Sequence, residues 1–216
     1  MDFRNSIFAV ADSPDWNPTA SRCYLSRFSN IVEGVFSQNP DTRESSMDIQ
    51  LDMILNHTNR LVKDIDRKHC TAFSGIIIIR YRGKLNGLIL HCGDCLVFKV
   101  NIRKRNIVQI TRTNMSFIGC SDQISQVEVM DIDENDRLVL CTDGIQALSR
   151  NAYFKSLPHI LLHSLISCPM HSVPDTLFSY YGNSCDIPDD MSIIVMNPNE
   201  LMISDCKLLM GGYEFG

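Results

Sequence analysis

A chain of 216 residues with 44% hydrophobic residues is long enough to bury one sizeable core, and no Pro/Gly-rich linker, fixed-period repeat or low-complexity tract divides it. A net charge of −5 argues against a general nucleic-acid binder, which carries a basic face. There is no charged leader followed by an apolar run and a small-residue cleavage site, and no apolar stretch reaches the ~20 residues that span a bilayer as a helix, so a soluble cytoplasmic protein with no membrane partner is expected. Nine cysteines, an odd number without a framework, fit reduced thiols better than disulfides.

In chain order, residues 7–11 (Ile7, Phe8, Ala9, Val10, Ala11) read as a buried strand running into Asp12, Ser13 and Pro14. Residues 18–36 place Leu25, Phe28, Ile31, Val32 and Val35 at helical spacing, and 47–62 repeat the pattern with Ile49, Met53, Ile54 and Leu61. From Thr71 onward the pattern turns to β. Strands are expected over 76–81, 88–92, 96–100 and 107–111 as an antiparallel meander, with Arg103, Lys104 and Arg105 as a solvated hairpin tip. Further strands follow at 127–130 and 137–141, then a largely helical stretch over 144–167 broken before Pro158, and a last strand at 192–196. Residues 1–199 are read as one domain and 200–216 as a tail, apolar enough to dock on it through Leu201, Met202, Ile203 and Leu208.

Three carboxylates border three of these apolar strands: Asp12 after the first, Asp143 after Leu138, Val139, Leu140, Cys141 and Thr142, and Asp189 (with Asp190) before the last. A strand end holds a carboxylate with little residual freedom, which suits a hard cation that needs oxygen ligands. Like charges gathered from distant parts of a chain repel unless a cation neutralises them. A lone strand-Asp-Gly is more often an ordinary turn, so it is the recurrence that carries the metal reading.

Other motifs favour structural roles. Cys92-Gly93-Asp94-Cys95 has no second cysteine pair to complete a zinc set and reads as a hairpin turn. His159 and His163, spaced i, i+4 without an acidic partner, read as partly buried helix residues among Ile160, Leu161 and Leu165. There is neither a G-x-S-x-G elbow nor a phosphate-cradling G-x-x-x-x-G-K-[ST] loop.

The ordered set of motifs resembles the metal-dependent protein serine/threonine phosphatases of the type 2C class. Phe8 to Asp12 looks like that family's first strand and bridging aspartate, and Cys70-Thr71-Ala72 falls at its small-residue turn. Asn86 through Phe98, with Gly93-Asp94-Cys95, is similar to its strand, Gly-Asp-Ser turn and strand, and Phe117-Ile118-Gly119 to the segment after its flap. Leu138 to Gly144 and Asp189 to Val195 match its last two metal motifs. The resemblance implies an α+β fold, a four-layer α-β-β-α sandwich of two antiparallel sheets flanked by helices. It implies a site in which Asp12 bridges two Mg²⁺ or Mn²⁺ ions, the Ser13 carbonyl ligates one of them, and Asp143 and Asp189 complete much of the first ion's shell. The implied activity is phosphomonoester hydrolysis on a phosphorylated protein substrate, with a pseudophosphatase acting as a binding module as the alternative. The chain departs from the family where Asp-Gly-His/Met-Gly-Gly becomes Asp12-Ser13-Pro14-Asp15-Trp16, where the flap Gly-Asp becomes Gly119-Cys120-Ser121-Asp122, and where an acidic ligand is usual upstream of the first aspartate.

Overall fold

In the computed structural model the first strand, β1 (Ile7–Asp12), is followed by two amphipathic helices, α1 (Thr19–Gln38) and α2 (Met47–Asp64). Strands β2 (Ala72–Tyr81), β3 (Lys84–Cys92), β4 (Leu96–Asn101), β5 (Asn106–Gln109), β6 (Gln126–Ile132) and β7 (Asp136–Cys141) come next. A 3₁₀ helix (Asp143–Arg150), α3 (Leu157–Ser167), α4 (Val173–Ser179) and β8 (Ile193–Met196) complete the main body. The structure describes residues 6–13, 19–38, 47–64, 70–81, 84–150, 156–180, 190–201, 203–204 and 207–208.

The strands form two four-stranded sheets, ordered β1-β2-β3-β6 and β5-β4-β7-β8, with every pairing antiparallel. Side chains alternate between the faces of a strand, so each sheet feeds two cores. Ile7 packs with Tyr24, Phe28, Phe73 and Ile77 beneath α1 and α2, whereas Phe8 and Val10 point to the other face and join Ile76, Ile89, Val97, Leu138 and Leu140 between the sheets. Val139 and Phe98 bury the far side of the second sheet against Ile145, Ile160, Leu161 and Leu177. The four-layer α-β-β-α sandwich expected from the motifs is therefore present. Because β3 is covered on both faces, every residue after Lys84 is buried instead of alternating with exposed ones. Tyr24 and Phe28 meet Phe73 edge to face with ring centroids 4.7 and 5.0 Å apart, an anchor of α1 whose truncation at Phe73 costs about 3 to 5 kcal/mol.

Four sequence expectations need correction. The four strands from β2 to β5 are not one meander. β3 pairs with β2 and β6, while β4 pairs with β5 and β7, so Cys92 to Cys95 is not a hairpin turn but the corner where the chain leaves one sheet for the other. Gly93 makes that corner at φ 92°, and a Cβ there would meet the Ala72 Cβ at 2.8 Å.

The stretch after Gly144 opens as a 3₁₀ helix, and α3 carries Pro158 in its first turn, where the missing N–H breaks no helical hydrogen bond. α4, with its own proline in the first turn, was not anticipated. His159 and His163 face solvent, since Ile160, Leu161, Ser164 and Leu165 take the inward side of α3; His159 Nδ1 shares a 2.6 Å hydrogen bond with Ser156 Oγ.

Finally, Cys70 and Cys120 form a disulfide with a Cα separation of 6.0 Å, which fits bridge geometry. The cysteine count therefore gives no argument for a reducing compartment. Spacing could not have revealed the pair, because the two residues are 50 apart and meet only where Thr71 and Ile118 pair. After β8, the short strands β9 (Ile203–Ser204) and β10 (Lys207–Leu208) pair with each other, and Leu201 packs against the core between the sheets. None of the described helices is long and apolar enough to cross a membrane.

Candidate metal centre

β1 ends at Asp12, which stands opposite Ala72 in the antiparallel ladder. By strand alternation it shares the face of Phe8 and Val10, at the rim of the gap between the sheets. Its carbonyl accepts a 2.8 Å hydrogen bond from the Thr71 hydroxyl, for which the Ala72 carbonyl at 2.9 Å is a second acceptor. Thr71 is fully buried, and its backbone N–H and C=O bond Ile118 at 3.1 and 2.9 Å. Ser13 shares a 2.6 Å hydroxyl hydrogen bond with Ser21, tying the residue after Asp12 to the first turn of α1.

β7 reaches the same gap from the other sheet. Leu138 and Leu140 face the gap and Val139 and Cys141 the helices, and Asp143 then opens the 3₁₀ helix as a half-buried carboxylate. An acid in the first turn of a helix faces unsatisfied backbone N–H groups. Between strand and helix lies Thr142, 2% exposed. Its N–H donates to the Ser192 carbonyl at 3.1 Å, its Oγ1 accepts from the Ser192 N–H at 2.9 Å, and the same hydroxyl donates to the Asp190 carbonyl at 3.3 Å.

The two ends converge on Cys95. Burial pushes this thiol well above its ordinary range, and the charges of Asp12, Asp94, Cys141 and Asp143 push it further in the same direction. Asp12 comes from the first sheet, Asp143 from the second and Asp94 from the corner between them, yet one buried sulfur feels all three. Cys141 is likewise held protonated, by burial first and Asp143 second. The acidic side chains at this place are carboxylates, and hard oxygen donors of this kind suit Mg²⁺ or Mn²⁺.

Among the described residues no three His, Cys, Asp or Glu side chains are close enough to form a metal-holding group. Asp189 lies outside the described residues; Asp190 is exposed and Asp94 half-buried. Asp122 is exposed, two residues beyond the disulfide that fastens Cys120 to Cys70. Sequence reasoning singled out Asp12, Ser13 and Asp143 but missed the hydroxyls of Thr71 and Thr142, because a threonine at a strand end looks like an ordinary β-former.

A model of the stage II sporulation protein E (SpoIIE) family matches residues 23–199, most of the chain. The chain belongs to the SpoIIE family. Asp143 and Asp189 lie within the matched segment, and Asp12 and Ser13 just before it. Among solved structures, the serine/threonine phosphatase PstP/Ppp of Mycobacterium tuberculosis is similar at TM-score 0.59 and 15% identity, over 88% of this chain and 87% of that one. A structure of the PstP catalytic domain in complex with two manganese ions is similar at TM-score 0.60 and 16% identity, over 88% of this chain and 86% of that one. The type 2C phosphatase domain of SpoIIE from Bacillus subtilis, solved with a fragment of its regulatory domain, is similar at TM-score 0.58 and 15% identity, over 90% of this chain and 56% of that one. At such identities the likeness to these structures is one of fold, the type 2C phosphatase fold. No curated protein sequence matches the chain.

Proposed function

We propose that this SpoIIE-family chain is a Mg²⁺- or Mn²⁺-dependent phosphatase acting on phosphoserine or phosphothreonine of a protein substrate. The observation that carries the reading is that Asp12 ends β1 and Asp143 follows β7, so each sheet of a type 2C fold brings a carboxylate to the gap between them. Asp12, the Ser13 carbonyl, Asp143 and Asp189 would hold the ions. When bound, the metal supplies Lewis acidity and a water acidic enough to ionise near neutral pH. The chain's own contribution is to orient and exclude. The Thr71 hydroxyl holds the Asp12 peptide, Ser21 restrains Ser13, and the apolar gap behind Cys95 keeps bulk water from the back of the site. Cytoplasmic residence belongs to this proposal as well.

The test is release of phosphate from an aryl phosphate and a phosphoserine peptide with and without Mn²⁺. Stimulation by Mn²⁺, abolished in Asp12→Ala, is expected; a purified chain with no metal-stimulated release would sink the reading. A second reading, a pseudophosphatase that binds a phosphoprotein without turnover, is favoured by the loop Ser13-Pro14-Asp15-Trp16, which has none of the family's glycines, and by the Ser13–Ser21 bond that restrains its start. Phosphopeptide binding by the wild-type chain without phosphate release would select it.

A further inference from the structure

The hydrogen-bond ladder between β7 and β8 ends at the pair Cys141 and Ile193. One residue farther on, β7 becomes Thr142 and then Asp143, while β8 is preceded by Ser192 and, upstream, by Asp190 and Asp189. The Thr142 side chain extends the pairing past the ladder's end. Its hydroxyl accepts from the Ser192 N–H at 2.9 Å and donates to the Asp190 carbonyl at 3.3 Å, while its backbone N–H bonds the Ser192 carbonyl. One oxygen thus fastens two backbone groups of the incoming segment directly beside the candidate ligand Asp143. Thr142 is 2% exposed while Ser192 and Asp190 are exposed, so the hydroxyl holds a surface segment from inside the fold.

Valine has the same shape and at least as good a strand propensity, but it would release the Ser192 N–H and the Asp190 carbonyl. What valine lacks is the ability to accept and donate at one point. We infer that Thr142 is a positioning residue of the metal centre: its hydroxyl holds residues 190–192 against the end of β7, beside Asp143. The inference rests on the proposed metal site. Partners that orient ligands without touching the ion typically govern metal affinity by roughly 10- to 100-fold.

The experiment compares Thr142→Val, Thr142→Ser and Leu161→Ala, the last a cavity variant in the outer core. Mn²⁺ affinity is measured by calorimetry and the Ser192 amide exchange rate by NMR. Thr142→Val is expected to weaken Mn²⁺ binding at least about tenfold and to speed Ser192 exchange. Thr142→Ser, which keeps the hydroxyl, is expected to restore both, and Leu161→Ala to lose stability with unchanged Mn²⁺ affinity. If Thr142→Val does not fold, Thr142→Ala is read in its place. Wild-type affinity in Thr142→Val overturns the inference, as does equal loss in Thr142→Ser or Leu161→Ala. No Mn²⁺ binding by the wild-type chain overturns the metal reading itself and this inference with it.

Discussion

Strand β7 has an aspartate at each end, and the chain treats them differently. Asp136, its first residue, is 2% exposed; it accepts hydrogen bonds from Asn101 Nδ2 and the Asp133 N–H, each at 2.8 Å, and Lys99 Nζ stands 3.9 Å away. Neutral donors and a cation surround it, which is how a buried carboxylate becomes part of the frame. Asp143, beyond the other end, is half-buried in a neighbourhood shared with Asp12 and Asp94. Like charges in one neighbourhood raise each other's electrostatic cost, which points to a role other than stability. The same residue type, at the start of the strand and just beyond its end, is thus a fastening in one place and a candidate ligand in the other.

Substitution at the two ends breaks this comparison most sharply. Asp143→Asn keeps the shape and removes the charge; Mn²⁺-dependent phosphate release is expected to fall roughly 10³-fold while the urea midpoint moves little. A large stability loss without loss of activity would place Asp143 with Asp136. Next in size is the bridge between Cys70 and Cys120, beside the Thr71 that bonds the Asp12 carbonyl. Reduction of Cys70–Cys120 frees a 50-residue separation in the unfolded chain, for which chain entropy allows at most about 4 kcal/mol. A lower urea midpoint in dithiothreitol, absent in a Cys70→Ser/Cys120→Ser chain, is the expected reading.

Asp136→Ala should cost about 2 to 3 kcal/mol in stability, since it strands the Asn101 amide and the Asp133 N–H, yet leave Mn²⁺ affinity unchanged. The smallest effect concerns His91, which is buried between the Ser74 hydroxyl at Nδ1 and the Arg112 carbonyl at Nε2. Burial pushes its imidazole below the ordinary 6.5. As pH falls beneath that value the unfolded chain takes up a proton that the folded chain refuses, so this group's contribution to stability is present above 6.5 and is lost on acidification. An NMR titration should show the His91 imidazole taking up its proton only below the ordinary 6.5.

The layers were legible because their physics is local. Apolar runs and helical spacing located α1, α2 and the main-body strands, and the ordered motifs located Asp12 and Asp143. The path of the chain between layers was not legible. Residues 92–95 read equally as a hairpin or a change of sheet, since hydrogen-bond partners are long-range and β3 and β4 are apolar either way. The disulfide was missed for the same reason: Cys70 and Cys120 meet through tertiary pairing, not spacing. Thr71 and Thr142 carry bonds that reach residues 59 and 50 positions away, a relation that no window of sequence contains.

Asp12 belongs to one sheet and Asp143 to the other, and the packing between those sheets is almost wholly apolar and therefore non-directional. Greasy layers resist separation more than they resist sliding. A cation gripped by both carboxylates would act as a rivet through the sandwich, converting slip between the layers into lost coordination. Its occupancy would then register in the melting of the whole protein, at about 2.7 kcal/mol for an ion present at a hundred times its dissociation constant.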